Sequence, residues 1–272
     1  MIIQTAPEGA PRFALKMDEH TALADQFARA FGNATFEAVE PRELLLYMIA
    51  NHDKGWASYD AAPKTDPRTG LPYNLVETPA EDITKTSAAS PDFNEKRHPY
   101  CALLSSMHSW GLYNGRYGLS DKVLIDTISP KDRPFAERML EGEIKRQERL
   151  KAELASNPET AAWIEDAHLF QSYKQLQFFD TLALYFNRSP EAARSEARFE
   201  HVPMTARQDA TITVQPAGPG TYAVSPYPFN KSPAQFRFSG RYIQPAKRGD
   251  TDWAEVFAEA PLEWQSFTLI PG

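Results

Sequence analysis

Asp180 is the residue that most constrains the fold of this chain. It sits in the run Tyr173-Lys174-Gln175-Leu176-Gln177-Phe178-Phe179-Asp180-Thr181-Leu182-Ala183-Leu184. It follows Tyr173 by seven residues and Leu176 by four, so on a helix it shares their apolar face. A carboxylate buried there costs several kcal/mol unless a cation, a hydrogen-bond donor or a metal ion meets it. Whatever element supplies that partner must therefore pack on this helix. Two earlier helices offer one. Asp18 can cap a helix running to about Phe31, with Leu23, Ala24, Phe27 and Phe31 as its apolar face. His20 stands four residues before Ala24 and seven before Phe27, on that same face. Pro41 opens a second helix striped by Leu44, Leu45, Met48 and Ile49. His52 follows Met48 by four and, with Asp53, closes this helix just before Gly55 and Trp56.

The remaining segments frame these positions. Met1 to Thr5 and Arg12 to Lys16 are strand-like, with a break over Ala6-Pro7-Glu8-Gly9-Ala10-Pro11. Gly32-Asn33 ends the first long helix. Residues 55–74 form an irregular polar loop, a natural lid or substrate wall, in which Trp56 and Asp66 are candidate substrate contacts. Residues 77–97 are polar with weak periodicity. His98-Pro99 opens a helix carrying Tyr100, Leu103, Leu104, Met107 and His108, with Gly111 and Gly115 at its end. Lys131 to Ala155 reads as a solvated helix and Asn157 to Asn187 as a longer, buried one. After about Arg198 the pattern alternates, in 211–214, 221–224, 235–238 and 266–269, and Asp252 to Ala260 is a short helix. The expected fold is mainly α: a helical core over 17–198, with a small sheet built from 1–16 and from strands in 199–272, all in one domain over 1–272.

The bulk numbers narrow the function. A formal net charge of −7 argues against a nucleic-acid backbone as partner. It does not oppose a small anionic substrate, because a bound metal reverses the field locally. Cys101 is the single cysteine, which excludes an intrachain disulfide and fits a reducing cytoplasm. No signal-peptide pattern opens the chain, and no apolar run approaches the roughly 20 residues of a membrane span.

Taken one at a time, an inward histidine is more often a hydrogen-bonded core residue than a ligand. The order is more telling. His20, then His52-Asp53 ending a second helix, then Asp180 on a late helix resembles the HD-domain superfamily of metal-dependent phosphohydrolases. The resemblance covers about residues 17–187. A closer resemblance, over nearly the whole chain, is to an uncharacterised bacterial family filed as a domain of unknown function. It rests on His52-Asp53-x-Gly55-Trp56, Asp66-x-x-Thr69-Gly70-x-Pro72, His98-Pro99, Leu103-Leu104-Ser105-x-x-His108 and Leu176-Gln177-x-x-Asp180. That likeness implies fold and ligands but no activity.

His20, His52, Asp53 and Asp180 together offer two imidazoles and two carboxylates, a set that suits Mn, Fe, Zn, Co or Mg. The resemblance implies one divalent ion, with Asp53 also positioning the water that attacks a small phosphorylated molecule or nucleotide. Lys174 and Arg97 are candidate phosphate clamps, each with solvated surface charge as the plainer reading. His108 faces inward and is a candidate ligand for a second ion. His98 lies ten residues earlier, about 15 Å along a continuous helix. It reads instead as a substrate contact or a cap. His168 and His201 read as structural or exposed. Two other functions stay open at this point: a di-iron oxygenase on the same scaffold, and a non-catalytic binding protein that kept the pocket. The sequence does not specify an oligomeric state.

Overall fold

The computed structural model describes residues 1–7, 9–246 and 251–272. Glu8, inside the expected break of the first hairpin, lies outside the described residues. The helices are α1 Met17–Ala30, α2 Arg42–Ala50, α3 Ala57–Ala61, α4 Ala80–Glu95, α5 Pro99–Tyr113, the short turn α6 Gly115–Gly118, α7 Arg133–Ala155, α8 Asp166–Arg188 and α9 Trp253–Glu259. The strands are β1 Ile2–Ile3, β2 Arg12–Leu15, β3 Thr65–Asp66, β4 Leu71–Pro72, β5 Ala197–Thr205, β6 Gln208–Gly218, β7 Thr221–Ser225, β8 Ala234–Ile243 and β9 Glu263–Pro271. Seven strands form one sheet in the order β1-β2-β8-β9-β7-β6-β5, and β3-β4 is a separate hairpin. Within the large sheet β7 and β9 run parallel, and the other pairs are antiparallel.

This corrects the expectation of a mainly α protein with a small sheet. About half the chain is helical, but the seven-stranded sheet is large, and strands make up 21% of the chain. The alternating cores of β6 to β9 are readable in the sequence; their full lengths and β5 are not. In β5 the register against β6 shifts between Phe199 and Val202, and His201 takes a positive φ of 57°. Such a bulge puts two residues opposite one and interrupts the period-two pattern that reveals a strand. β5 is an edge strand, where bulges are common and protect the open edge.

Helix boundaries also differ, α8 starting at Asp166 rather than Asn157. α1 begins at Met17, so Asp18 is inside its first turn and pairs with Lys54 at 3.0 Å; Glu19 accepts the Lys16 N–H at 2.8 Å. The polar stretch 77–97 contains the sixteen-residue helix α4. Its buried residues are Thr84, Thr86, Ser87, Ser90, Pro91 and Asn94, so small polar residues replace the usual apolar stripe. They face the equally small Ser105 and Ser109 of α5, with Asn94 Nδ2 donating to Ser105 Oγ at 3.3 Å and Ser109 Oγ to the Ser87 carbonyl at 2.8 Å. Side chain-to-backbone bonds of this kind satisfy buried hydroxyls without a charge.

α1 and α8 lie against the sheet through aromatic packing. Phe27 of α1 has ring contacts with Phe186 of α8, Phe236 of β8 and Phe267 of β9. Phe186 also stacks on Phe267 with centroids 3.7 Å apart. The core cluster is continuous from Leu23 and Leu176 to Val214 and Phe238, so the sheet fixes how α1 and α8 meet. That meeting brings His20 beside Asp180.

Candidate metal centre

His20 is fully buried one turn into α1. The start of this helix is anchored by Asp60 of α3, whose Oδ2 accepts the Met17 N–H at 2.6 Å. The His20 Nε2 is 3.2 Å from Asp180 Oδ1, and its Nδ1 is 2.9 Å from Asn187 Oδ1. Without a metal ion, Asp180 Oδ1 accepts from Nε2–H, while the Asn187 amide, whose Nδ2 is buried and unpartnered, can turn either its oxygen or its nitrogen to Nδ1. Burial pushes the pKa of His20 down, but the hydrogen bond and charge of Asp180 outweigh this and raise it. Burial pushes the Asp180 carboxyl up, yet the His20 bond and the three surrounding histidines hold it well below its usual range.

His52 and Asp53 occupy the turn that follows α2 rather than the helix itself. The turn is clamped onto α4. Gly55 N–H donates to Ser90 Oγ at 3.0 Å, and Asn94 Nδ2 donates to the Asn51 carbonyl at 3.0 Å. A Cβ on Gly55 would lie 2.1 Å from the Thr86 carbonyl oxygen. The glycine of the His-Asp-x-Gly-Trp run is therefore explained by close backbone approach. Within the turn, His52 Nδ1 donates to the Ile49 carbonyl at 2.7 Å. In the neutral ring, Nε2 then holds a lone pair. That atom is buried with no hydrogen-bond partner, 3.6 Å from Asp53 Oδ2 and 3.9 Å from Asp180 Oδ1.

The His52 ring sits between two others, with centroids 5.6 Å from His20 and 5.1 Å from His108. His108 comes from the middle of α5 and is buried; burial depresses its pKa to about 4, against the pull of Asp180. Its Nδ1 is 2.9 Å from Gln177 Nε2, while Gln177 Oε1 is buried and unpartnered. Turning that amide over would let Oε1 accept from Nδ1–H and leave the His108 Nε2 free to ligate.

Two groups among the described residues could thus hold a metal ion: His20, His52 and Asp180, and His52, Asp53 and His108. In each, the ligand atoms lie within 4.8 Å of one another. The donor set and the unpartnered Nε2 of His52 fit a divalent ion. An unpaired buried acceptor costs about 1–3 kcal/mol and calls for a partner.

The other residues singled out by sequence lie elsewhere. His98 caps α5, its Nδ1 accepting the Tyr100 N–H at 3.0 Å, with its ring against Trp163. Arg97 lies over the Tyr47 ring at 5.5 Å. Trp56 is buried edge-on to Tyr59, and Asp66 accepts the Arg68 N–H at 2.9 Å in the β3-β4 turn. Both contacts are internal to the segment expected to be a lid. Lys174 pairs with Asp209 and lines a cavity of about 510 Å³ between α6, α8 and β5. Arg116 and Gln177 line it too and also reach the cluster, Arg116 Nη2 lying 3.9 Å from Asp180 Oδ2. Sequence reasoning missed Asn187 and Gln177, although they stand seven after and three before Asp180, on its helix face. Arg116 had no readable signal.

No helix among the described residues is long and apolar enough to cross a membrane. No curated protein and no solved structure matches the chain. The sequence model of one family matches residues 1–245, and the chain belongs to that family, described as a protein of unknown function (DUF3891).

Proposed function

We propose that this protein is a metal-dependent hydrolase acting on a small phosphorylated molecule, of which nucleotides are one class. The observation that carries this reading is the buried, unpartnered Nε2 of His52, set among His20, Asp53, His108 and Asp180. The chain order of these residues supports an HD-domain-like assignment of the site. His20, His52, Asp53 and Asp180 would hold the ion. A divalent ion bound there would acidify a water molecule and offset negative charge on a phosphoryl group. Asn187 and the Ile49 carbonyl orient His20 and His52 through their Nδ1 atoms, leaving both Nε2 atoms directed at the acidic residues. Asp53 has the most water-accessible side chain of the four, 15% against at most 5% for the others. It is therefore the group placed to take a proton from an attacking water. The single buried Cys101 supports a reducing, cytoplasmic setting.

The second grouping, His52-Asp53-His108, favours a two-ion variant of the site, and with it a di-iron oxygenase as the alternative chemistry. Elemental analysis of the purified protein tests the reading, together with phosphate release from a panel of nucleotides and sugar phosphates. One bound divalent ion per chain and phosphate release lost in His52→Ala support it. Two irons with oxygen consumption would favour the alternative. A metal-free, inactive protein would leave a binding role.

A further inference from the structure

Among the described residues three non-glycines have positive φ: Arg116 at 52°, Tyr117 at 58° and His201 at 57°. Arg116 and His201 line the same cavity, the one that adjoins the metal centre. Gly115 and Gly118 also have positive φ, at 64° and 86°, so four consecutive residues form a left-handed turn. Left-handed backbone is unfavourable for residues with a Cβ. Such strain persists where the surrounding structure enforces it, and it concentrates at functional sites. Here the turn is enforced: the Ser120 N–H bonds to the Gly115 carbonyl at 3.1 Å, and Tyr117 packs among Trp110, Phe170 and Tyr173.

The turn projects the Arg116 guanidinium into the gap between Asp180 and the cavity. Its side chain is 23% exposed, and no hydrogen bond to the guanidinium exists among the described residues. At 3.9 Å the approach to Asp180 is an ion pair too long for a hydrogen bond. No protein group among the described residues therefore takes up the N–H donors of this fork-shaped group. The cavity is also cationic in a chain of net charge −7. Arg116, Lys122, Lys174 and Arg198 line it against Asp121 and Glu200; outside the lining, Lys174 pairs with Asp209 and Arg116 makes its long ion pair with Asp180.

We propose that the 115–118 turn is an oxyanion clamp, with Arg116 donating to a phosphoryl group of a small ligand seated in the cavity, and Lys122 and Arg198 attracting its charge at the outer rim. This rests on the hydrolase reading for the word phosphoryl, and on the cavity alone for the anion. An arginine fork suits two oxygens of one phosphate. Once an ion shares the charge of Asp180, the guanidinium has no competing carboxylate beside it.

The test is isothermal titration of the protein as purified, its metal content measured first, with inorganic phosphate at low ionic strength. Arg116→Asn is the variant of choice, because asparagine tolerates the left-handed region and keeps the turn. The expected result is a wild-type affinity that weakens with added salt, and a loss of about tenfold or more in Arg116→Asn, as for a charge-assisted hydrogen bond. Metal content and melting temperature should stay at wild-type values, and Arg116→Lys should recover part of the affinity. Wild-type phosphate affinity in Arg116→Asn overturns the clamp, as does failure of the wild type to bind phosphate at all. A metal-free protein whose phosphate binding still depends on Arg116 would keep the clamp and remove the hydrolase reading. A metal-loaded protein indifferent to Arg116→Asn would do the reverse.

Discussion

Gly55→Ala isolates the contact that holds the His-Asp turn in place. The Gly55 backbone is not in the left-handed region, so alanine is conformationally allowed and its cost is steric alone. The added Cβ would lie 2.1 Å from the Thr86 carbonyl oxygen, 2.7 Å from Ser90 N and 2.8 Å from Ser90 Oγ. Two of these three atoms are helix backbone, so no flexible side chain can swing aside. Ordinary contact begins near 3.4 Å, which requires α4 and the turn to separate by more than 1 Å. Overpacking a tight contact costs about 1–3 kcal/mol. The Gly55 N–H bond to Ser90 Oγ would stretch with it, adding roughly 1 kcal/mol. A total of about 2–4 kcal/mol lowers the melting temperature by roughly 5–15 °C in a domain of this size. The same displacement moves His52 and Asp53, so bound metal should fall in parallel. Urea unfolding and elemental analysis of the variant read both effects. A Gly55→Ala protein with unchanged midpoint and full metal content would refute the close-approach argument.

Asp53→Ala should abolish bound metal and phosphate release while circular dichroism stays that of the folded protein; retained activity would make the dipeptide structural only. Asn187→Ala frees the Nδ1 of His20 and should weaken metal affinity about 10- to 100-fold, measured by competition with a chelator, and unchanged affinity would show that Asn187 does not orient the ligand. In chelator-treated protein, His108 refuses a proton down to about pH 4 that the unfolded chain accepts near 6.5, so stability should decline as pH falls through that window. His20 acts in the opposite sense: its contribution is complete below its usual value of 6.5 and lost as pH rises through its raised pKa. Urea midpoints against pH in His108→Gln should lose the acid-side decline and keep the alkaline one, and an unaltered acid limb would contradict the burial of a neutral His108.

The sequence by itself determined which helix faces had to turn inward. His20 and Asp180 occupy apolar stripes with a period set by the helix, so their burial follows from local spacing and from the high cost of an unpaired polar group. The glycine after His52-Asp53 was equally visible, but its reason, backbone contact with α4, was not. α4 itself escaped because its buried side is made of Ser, Thr and Asn, whose partners lie on other elements. The extent of the sheet escaped for a related reason. β5 pairs through backbone hydrogen bonds that carry no side-chain code, and the bulge at His201 breaks the alternation that would have revealed it. Only the tertiary structure could bring His108 against His52 and aim Arg116 into a cavity from a left-handed turn. Those outcomes depend on helix crossings and on strain held by distant packing, and neither is written in the spacing of residues along one element.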